Sequence, residues 1–124
     1  MGNASMSRTF GNPTLPEMEP LQVETAMEAR SRYLLNPPPD RSLERTAHHL
    51  RDFATWTTPT LETLLRNVEP KLAEIAPQVE KPPREWTGAT WEEAHARSAE
   101  WAAIVAAAKR ILRGRMAREH TEGG

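Results

Sequence analysis

The sequence predicts an all-α fold: a small bundle of four to five helices preceded by an extended N-terminal arm. Three observations lead there. Apolar residues recur at steps of three and four over most of the chain beyond residue 20. Prolines gather between those periodic stretches, at 13, 16 and 20, at 37 to 39, and at 77, 82 and 83, with Pro59 and Pro70 apart. No stretch carries a convincing strand pattern.

Residues 1–19 are rich in Gly, Asn, Ser, Thr and Pro without an apolar period, and read as the arm. The first helix is expected from Pro20, a residue suited to a first helical position. Its apolar face is Val23, Met27 and Leu34, flanked by Ala26 and Tyr33. Asn36-Pro37-Pro38-Pro39 ends it, because a residue before proline is pushed out of the helical region. Asp40 or Ser42 caps the second helix, which sets Leu43, Ala47, Leu50, Phe53 and Ala54 on one side.

Thr57 and Thr58 before Pro59 open the third helix. Leu61, Leu64, Leu65, Val68, Leu72, Ile75 and Ala76 form the cleanest stripe in the chain. Pro70 falls opposite it and has no donor for the bond back to residue 66, which predicts a kink on the solvent face or a split into two helices. Residues 77–89 read as a linker. Thr90-Trp91-Glu92-Glu93 has the capping-box pattern for a last helix reaching about Arg113, or Arg118 past Gly114. Its seam is Trp91, Ala94, Ser98, Trp101, Val105, Ala108 and Leu112, at heptad spacing. The organisation is thus an arm over 1–19, one helical domain over 20–118, and a polar tail over 119–124.

Composition excludes several function classes. At 124 residues the chain fits one domain, and with 38% hydrophobic and 27% charged residues its core is thin or part of it lies outside the core. A net charge of -1 argues against a free-standing nucleic-acid binder while leaving room for a local basic patch. The lack of cysteine removes disulfide scaffolds, thiolate zinc sites and thiol nucleophiles. No basic stretch leads into an apolar run at the N-terminus, and the apolar stretch Trp101–Ala108 is far too short to span a bilayer. A cytoplasmic protein, or one held within a virus particle, is expected, with no membrane partner.

Catalytic motifs are missing. There is no G-x-S-x-G elbow, and the 6 glycines are scattered rather than gathered in a phosphate loop. Glu92 and His95, and Glu44 and His48, have spacings that a di-metal carboxylate bundle uses, but both pairs project away from the apolar stripes where such ligands must point. The remaining histidines, His49 beside His48 and His120, carry no required function. The expectation is no enzyme, no metal and no cofactor; a helical metalloenzyme built on Glu44, His48, Glu92 and His95 is the reading set aside.

Two features point to partners. Trp56 and Trp86 lie off the helical stripes and are candidates for a protein interface, with Trp91 and Trp101 on the seam behind them. Lys109, Arg110, Arg113, Arg115 and Arg118 form a basic cluster with no acidic residue between Trp101 and Arg118, although cations also suit a helix C-terminus. Residues 41–67 weakly resemble the DNA-binding helix-turn-helix family, with Ala47 at the small buried position and Thr60, Thr63, Arg66 and Asn67 on the second helix. The departure is a connection from Arg51 to Thr57 that is longer than the usual turn and lacks its glycine, so the family is not assigned. The first expectation is therefore a non-catalytic interaction or assembly protein, a component or adaptor of a larger complex with a protein partner or as a homo-oligomer. The alternative is a DNA-binding regulator using 41–67 and the basic helix.

Overall fold

A computed structural model describes residues 23–123, with side chains through Glu119; the arm expected over residues 1–19, a helix start at Pro20 and the side chain of His120 lie outside the described residues. Four helices follow one another: α1 (Ala26–Leu35), α2 (Ser42–Phe53), α3 (Thr58–Glu80) and α4 (Gly88–Gly123). The fold is all-α; among the described residues there are four helices, not five, and no strand. A single antiparallel bridge joins Thr25 to Thr87 and ties the start of α1 to the start of α4.

Helix α1 starts at Ala26 rather than upstream. Thr25 is its N-cap: the hydroxyl accepts from the Glu28 N–H at 3.1 Å and the Glu28 carboxylate accepts from the Thr25 N–H at 2.9 Å. Both bonds satisfy donors that a helix start leaves free. The buried face also differs from expectation. Ala26 and Ala29 are buried and Tyr33 half-buried, whereas Val23, Met27 and Leu34 are exposed. Small residues at steps of three and four bring α1 close to α4, and the larger side chains turn outward.

Helix α2 is capped from outside its first residue. The Asp40 carboxylate accepts from the Ser42 N–H at 2.9 Å, a bond that holds this carboxyl below its ordinary range. Phe53 is buried and Leu50 packs beside it, while Leu43, Ala47 and Ala54 of the expected stripe are exposed. Thr57 caps α3 through the Thr60 N–H, and Pro59 occupies its first turn.

Helix α3 runs unbroken through Pro70 and Pro77, so the linker expected from residue 77 begins only at Lys81. An isolated proline removes one donor, and Pro77 stands in the last turn, where little helix remains to lose. The stop comes from Pro82, which pushes Lys81 to φ -130°, ψ 85°. Leu61 and Val68 are buried, and Leu64 and Leu65 pack against the core, while Ala76 at the end of the stripe is exposed.

Helix α4 begins at Gly88, not after Thr90. Thr87 is the cap, accepting from the Thr90 N–H at 3.2 Å. A Cβ on Gly88 would stand 2.7 Å from Oε1 and 3.1 Å from Cβ of Glu24, so a larger residue there would make the Glu24 side chain and the chain before α1 shift. The helix then continues past Arg113 and Arg118 to Gly123.

Helix α4 is the shared spine: α1, α2 and α3 each lie along it, with few contacts among themselves. Its buried residues are Trp91, Ala94, Ala103, Ala107 and Ala108, so the expected seam is joined by Ala103 and Ala107 from another face, and Trp101 is only half-buried. Adjacent residues Ala107 and Ala108 point about 100° apart on a helix, which is how α4 serves α2 and α3 at once. One core cluster gathers Phe53, Leu61, Ala107 and Ala108; a second gathers Ala26, Ala29 and Trp91, with Tyr33, Val79 and Trp86 against it. None of the helices is long and apolar enough to cross a membrane, among the described residues.

Candidate interaction surface

The fold leaves one face of α4 open beyond the reach of α1. There Ala99, Ala102, Ala103 and Ala106 floor a groove of about 740 Å³, walled by Tyr33 and Leu34 of α1, the Pro37–Pro39 connection, Arg41 and Arg45 at the start of α2, and the end of α3 at Val79 and Glu80. The connection is stiff because three successive prolines fix φ. Leu34 on the wall is 65% exposed, and its neighbour Leu35 and the nearby Leu43 are 87% and 85% exposed. Of these, Leu34 lines the groove itself, and an exposed leucine on an apolar groove is apolar surface that a partner could cover.

The same face of α4 changes character toward its C-terminus. Ala102, Ala106, Arg110 and Arg113 follow at steps of four, four and three, and share one side of the helix. Arg110 and Arg113 are exposed and have no carboxylate partner among the described residues. The rest of the basic cluster is divided. Lys109 pairs with Glu69 of α3 at 2.7 Å. Arg115 turns inward: its guanidinium donates to Thr58 Oγ1 at 2.9 Å and to the carbonyls of Trp56 at 2.7 Å and Ala54 at 3.3 Å. It therefore clamps the turn between α2 and α3 by satisfying two of that turn's carbonyls. Arg118 is exposed.

The tryptophans also divide. Trp91 is 2% exposed, and its indole N–H donates to the Val79 carbonyl at 3.0 Å. Trp86 is half-buried against the same cluster, and its carbonyl accepts from the Ala26 N–H at 3.3 Å. Trp101 is half-buried on α4. Trp56 is 37% exposed, with its ring 4.6 Å from that of Phe53. Of the four, Trp56 retains the most surface for a partner.

The carboxylates and histidines weighed as metal ligands are engaged elsewhere. Glu92 and Glu24 both accept from Arg32, whose pKa they raise, while the Arg32 hydrogen bond holds Glu24 below its ordinary value. His95 stacks on Trp91 with ring centres 5.0 Å apart and meets the edge of Tyr33 at 5.1 Å. Glu44 lies 3.5 Å from Arg41, and His48 lies 3.3 Å from Asp52. Among the described residues no three His, Asp or Glu side chains stand close enough to share a metal ion. A polar bridge that sequence reading missed is Glu100 of α4, which meets both Arg45 and His49 of α2.

For the helix-turn-helix resemblance, α2 and α3 are present, and each packs chiefly on α4. Ala47, the residue assigned to its buried position, is exposed, a correction that follows from α2 turning Phe53 and Leu50 inward instead. Arg66 and Asn67 are exposed on α3, and Arg66 donates to Thr63 Oγ1 at 3.1 Å. No protein-family model matches the chain, and neither a curated protein nor a solved structure matches it.

Proposed function

We propose that this protein is a non-catalytic helical interaction module, assembling with copies of itself or with a protein partner as a component of a larger complex. The observation that supports it is the groove on α4, where an apolar floor meets the exposed Leu34, on a helix face that continues to Arg110 and Arg113, which have no carboxylate partner among the described residues. Such a surface gives a partner apolar area for affinity and charge for orientation. The test is the solution mass of the full chain by light scattering from about 1 to 100 µM, the range in which modest interfaces assemble. A defined oligomer is expected, and one that loses mass when residues 1–19 are removed would identify the arm as the assembly device.

The alternative, a DNA-binding regulator, draws support from Arg110, Arg113 and Arg118 exposed along one helix. It predicts affinity for any duplex that falls steeply with salt, because phosphate contacts release counterions, and that weakens for every sequence in Arg110→Ala/Arg113→Ala. A chain that stays monomeric and binds duplex DNA in this way would replace the assembly reading.

A further inference from the structure

We propose that the groove beside α4 binds a free carboxylic acid with an unbranched apolar tail, of the fatty-acid class, its carboxylate held by Arg41 and Arg45. The inference goes beyond the assembly reading and does not depend on it. Volume limits the occupant first. Small-molecule sites run from about 300 to 1,000 Å³, and the groove's 740 Å³ falls inside that range. A docked helix, about 10 Å across with a pitch of about 5.4 Å, would fill it within roughly two turns, whereas one alkyl chain lies along it entire. The surfaces are those of a tail site. Ala99, Ala102 and Ala106 recur at steps of three and four along the floor and carry nothing past Cβ. They form a smooth trough roughly 10 Å long, at about 1.5 Å per residue. Ala102 and Ala106 are exposed, and Leu34 and Pro38 add apolar surface beside them.

Charge decides the head group. Three guanidinium groups and two carboxylates line the groove, and both carboxylates are already engaged. Glu80 meets Arg30 at 3.1 Å. Asp40, which the Arg45 charge also stabilises, accepts from the Ser42 N–H at 2.9 Å. Arg41 and Arg45 are not matched in this way. They stand four apart and so share one side of α2. Arg41 reaches Glu44 only at 3.5 Å, in an exposed pair. Arg45 lies 3.7 Å from Glu100, beyond hydrogen-bond distance, and Glu100 is itself held by His49. A charge-assisted bond to a carboxylate is about 2.7–2.9 Å long, and a guanidinium presents five donors, so both arginines keep donors to give. An incoming carboxylate meets two such forks at once. A cationic head on the same tail would face two like charges.

The experiment titrates the full chain with decanoate, hexanoate and decyltrimethylammonium, each below its micelle-forming concentration, and follows the alanine and leucine methyl groups by NMR. Decanoate should bind with a Kd of about 100 µM or tighter, within what about a dozen heavy atoms allow, and should shift Ala102, Ala106 and Leu34. Hexanoate buries four fewer methylenes and should bind at least about thirtyfold more weakly. Decyltrimethylammonium should bind at least about tenfold more weakly than decanoate. In Arg41→Gln/Arg45→Gln the preference for decanoate over the cation should vanish. Ala102→Trp fills the floor and should remove binding of all three probes, and Ala106→Trp serves where that variant does not fold. Circular dichroism checks the helices, which the exposure of Arg41, Ala102 and Ala106 favours. A native chain that does not bind decanoate overturns the proposal. So does equal affinity for the two decyl probes, which would mean that the arginines do not read the head group. Native affinity kept in a folded tryptophan variant overturns it as well, since the tail then lies elsewhere.

Discussion

A single arginine shows how far a side chain's role can lie from the class its charge suggests. Arg115 belongs by sequence to a basic run suited to phosphates, yet its guanidinium is occupied by Thr58 Oγ1 and the carbonyls of Ala54 and Trp56. Three donors of one rigid fork hold the turn, between Phe53 and Leu61 that pack on α4 at either side of it. Hydrogen bonds from a charged donor contribute about 1.5–3 kcal/mol each at best, and the exposed part of this cluster discounts that sum heavily. Arg115→Ala is therefore expected to cost about 1–3 kcal/mol in urea unfolding, and Arg115→Lys should recover only part, since an ammonium cannot span all three acceptors. Arg113→Ala, two residues away and exposed with no ion-pair partner among the described residues, should stay within about 0.5 kcal/mol of the native chain. Equal losses in Arg115→Ala and Arg113→Ala would show the clamp to be idle.

At the scale of elements, the joint between α1 and α4 depends on charge. Arg32 of α1 bridges Glu24, just before the helix, and Glu92 in the first turns of α4. The folded pKa of Glu24 lies below its ordinary 4.5, chiefly through the Arg32 hydrogen bond. Its contribution to stability is accordingly complete above about pH 4.5 and lost as pH falls through the folded value. Arg32, with its pKa raised, stays charged across the whole range and adds no slope. The difference in Tm between the native chain and Glu24→Gln should be largest above pH 4.5 and close below it; a difference constant from pH 7 to 3 would mean that the bridge does not contribute. The helices themselves were legible in the sequence because caps, periodicity and terminators act locally. Thr57 before Pro59 and the triple proline after Asn36 are of this kind. The box Thr25-Ala26-Met27-Glu28 was equally readable, and Pro20 masked it by offering an earlier start. What stayed hidden was which face each helix buries. Leu34 and Leu43 are apolar and correctly spaced, but α1 and α2 turn small residues, Tyr33 and Phe53 toward α4 instead. That choice depends on the partner helix, and periodicity within one helix cannot report it. The groove was illegible for the same reason, since it is made of surfaces from all four helices that meet only in the fold.

At the scale of the whole molecule, a spine with three helices along it has a particular pattern of cooperativity. The larger core joins α2, α3 and the second half of α4 through Phe53, Leu61, Ala107 and Ala108. The smaller one holds α1 against the first turns of α4 by Ala26, Ala29 and Trp91, with the Val79 carbonyl of α3 accepting the indole N–H. Helix α1 has 10 residues, too few to persist alone, so its amides are protected only while it is docked. Releasing it exposes the smaller cluster and breaks the Arg32 and Arg30 ion pairs, yet leaves the larger core intact. Native-state hydrogen exchange should therefore find the α1 amides sharing one opening of lower free energy than global unfolding, while those of α4 around Ala107 exchange only with the global event. Trp91→Phe removes the donor to Val79 and some apolar area, and should lower the α1 opening energy by about 1–3 kcal/mol. The amides around Ala107 should keep their protection relative to the global limit. If α1 and the Ala107 region open together at one free energy, in the native chain and in Trp91→Phe alike, the molecule is a single cooperative unit and the division into two cores has no energetic meaning. The expected separation would instead leave the groove wall, which α1 supplies through Tyr33 and Leu34, as a part able to open while the spine holds.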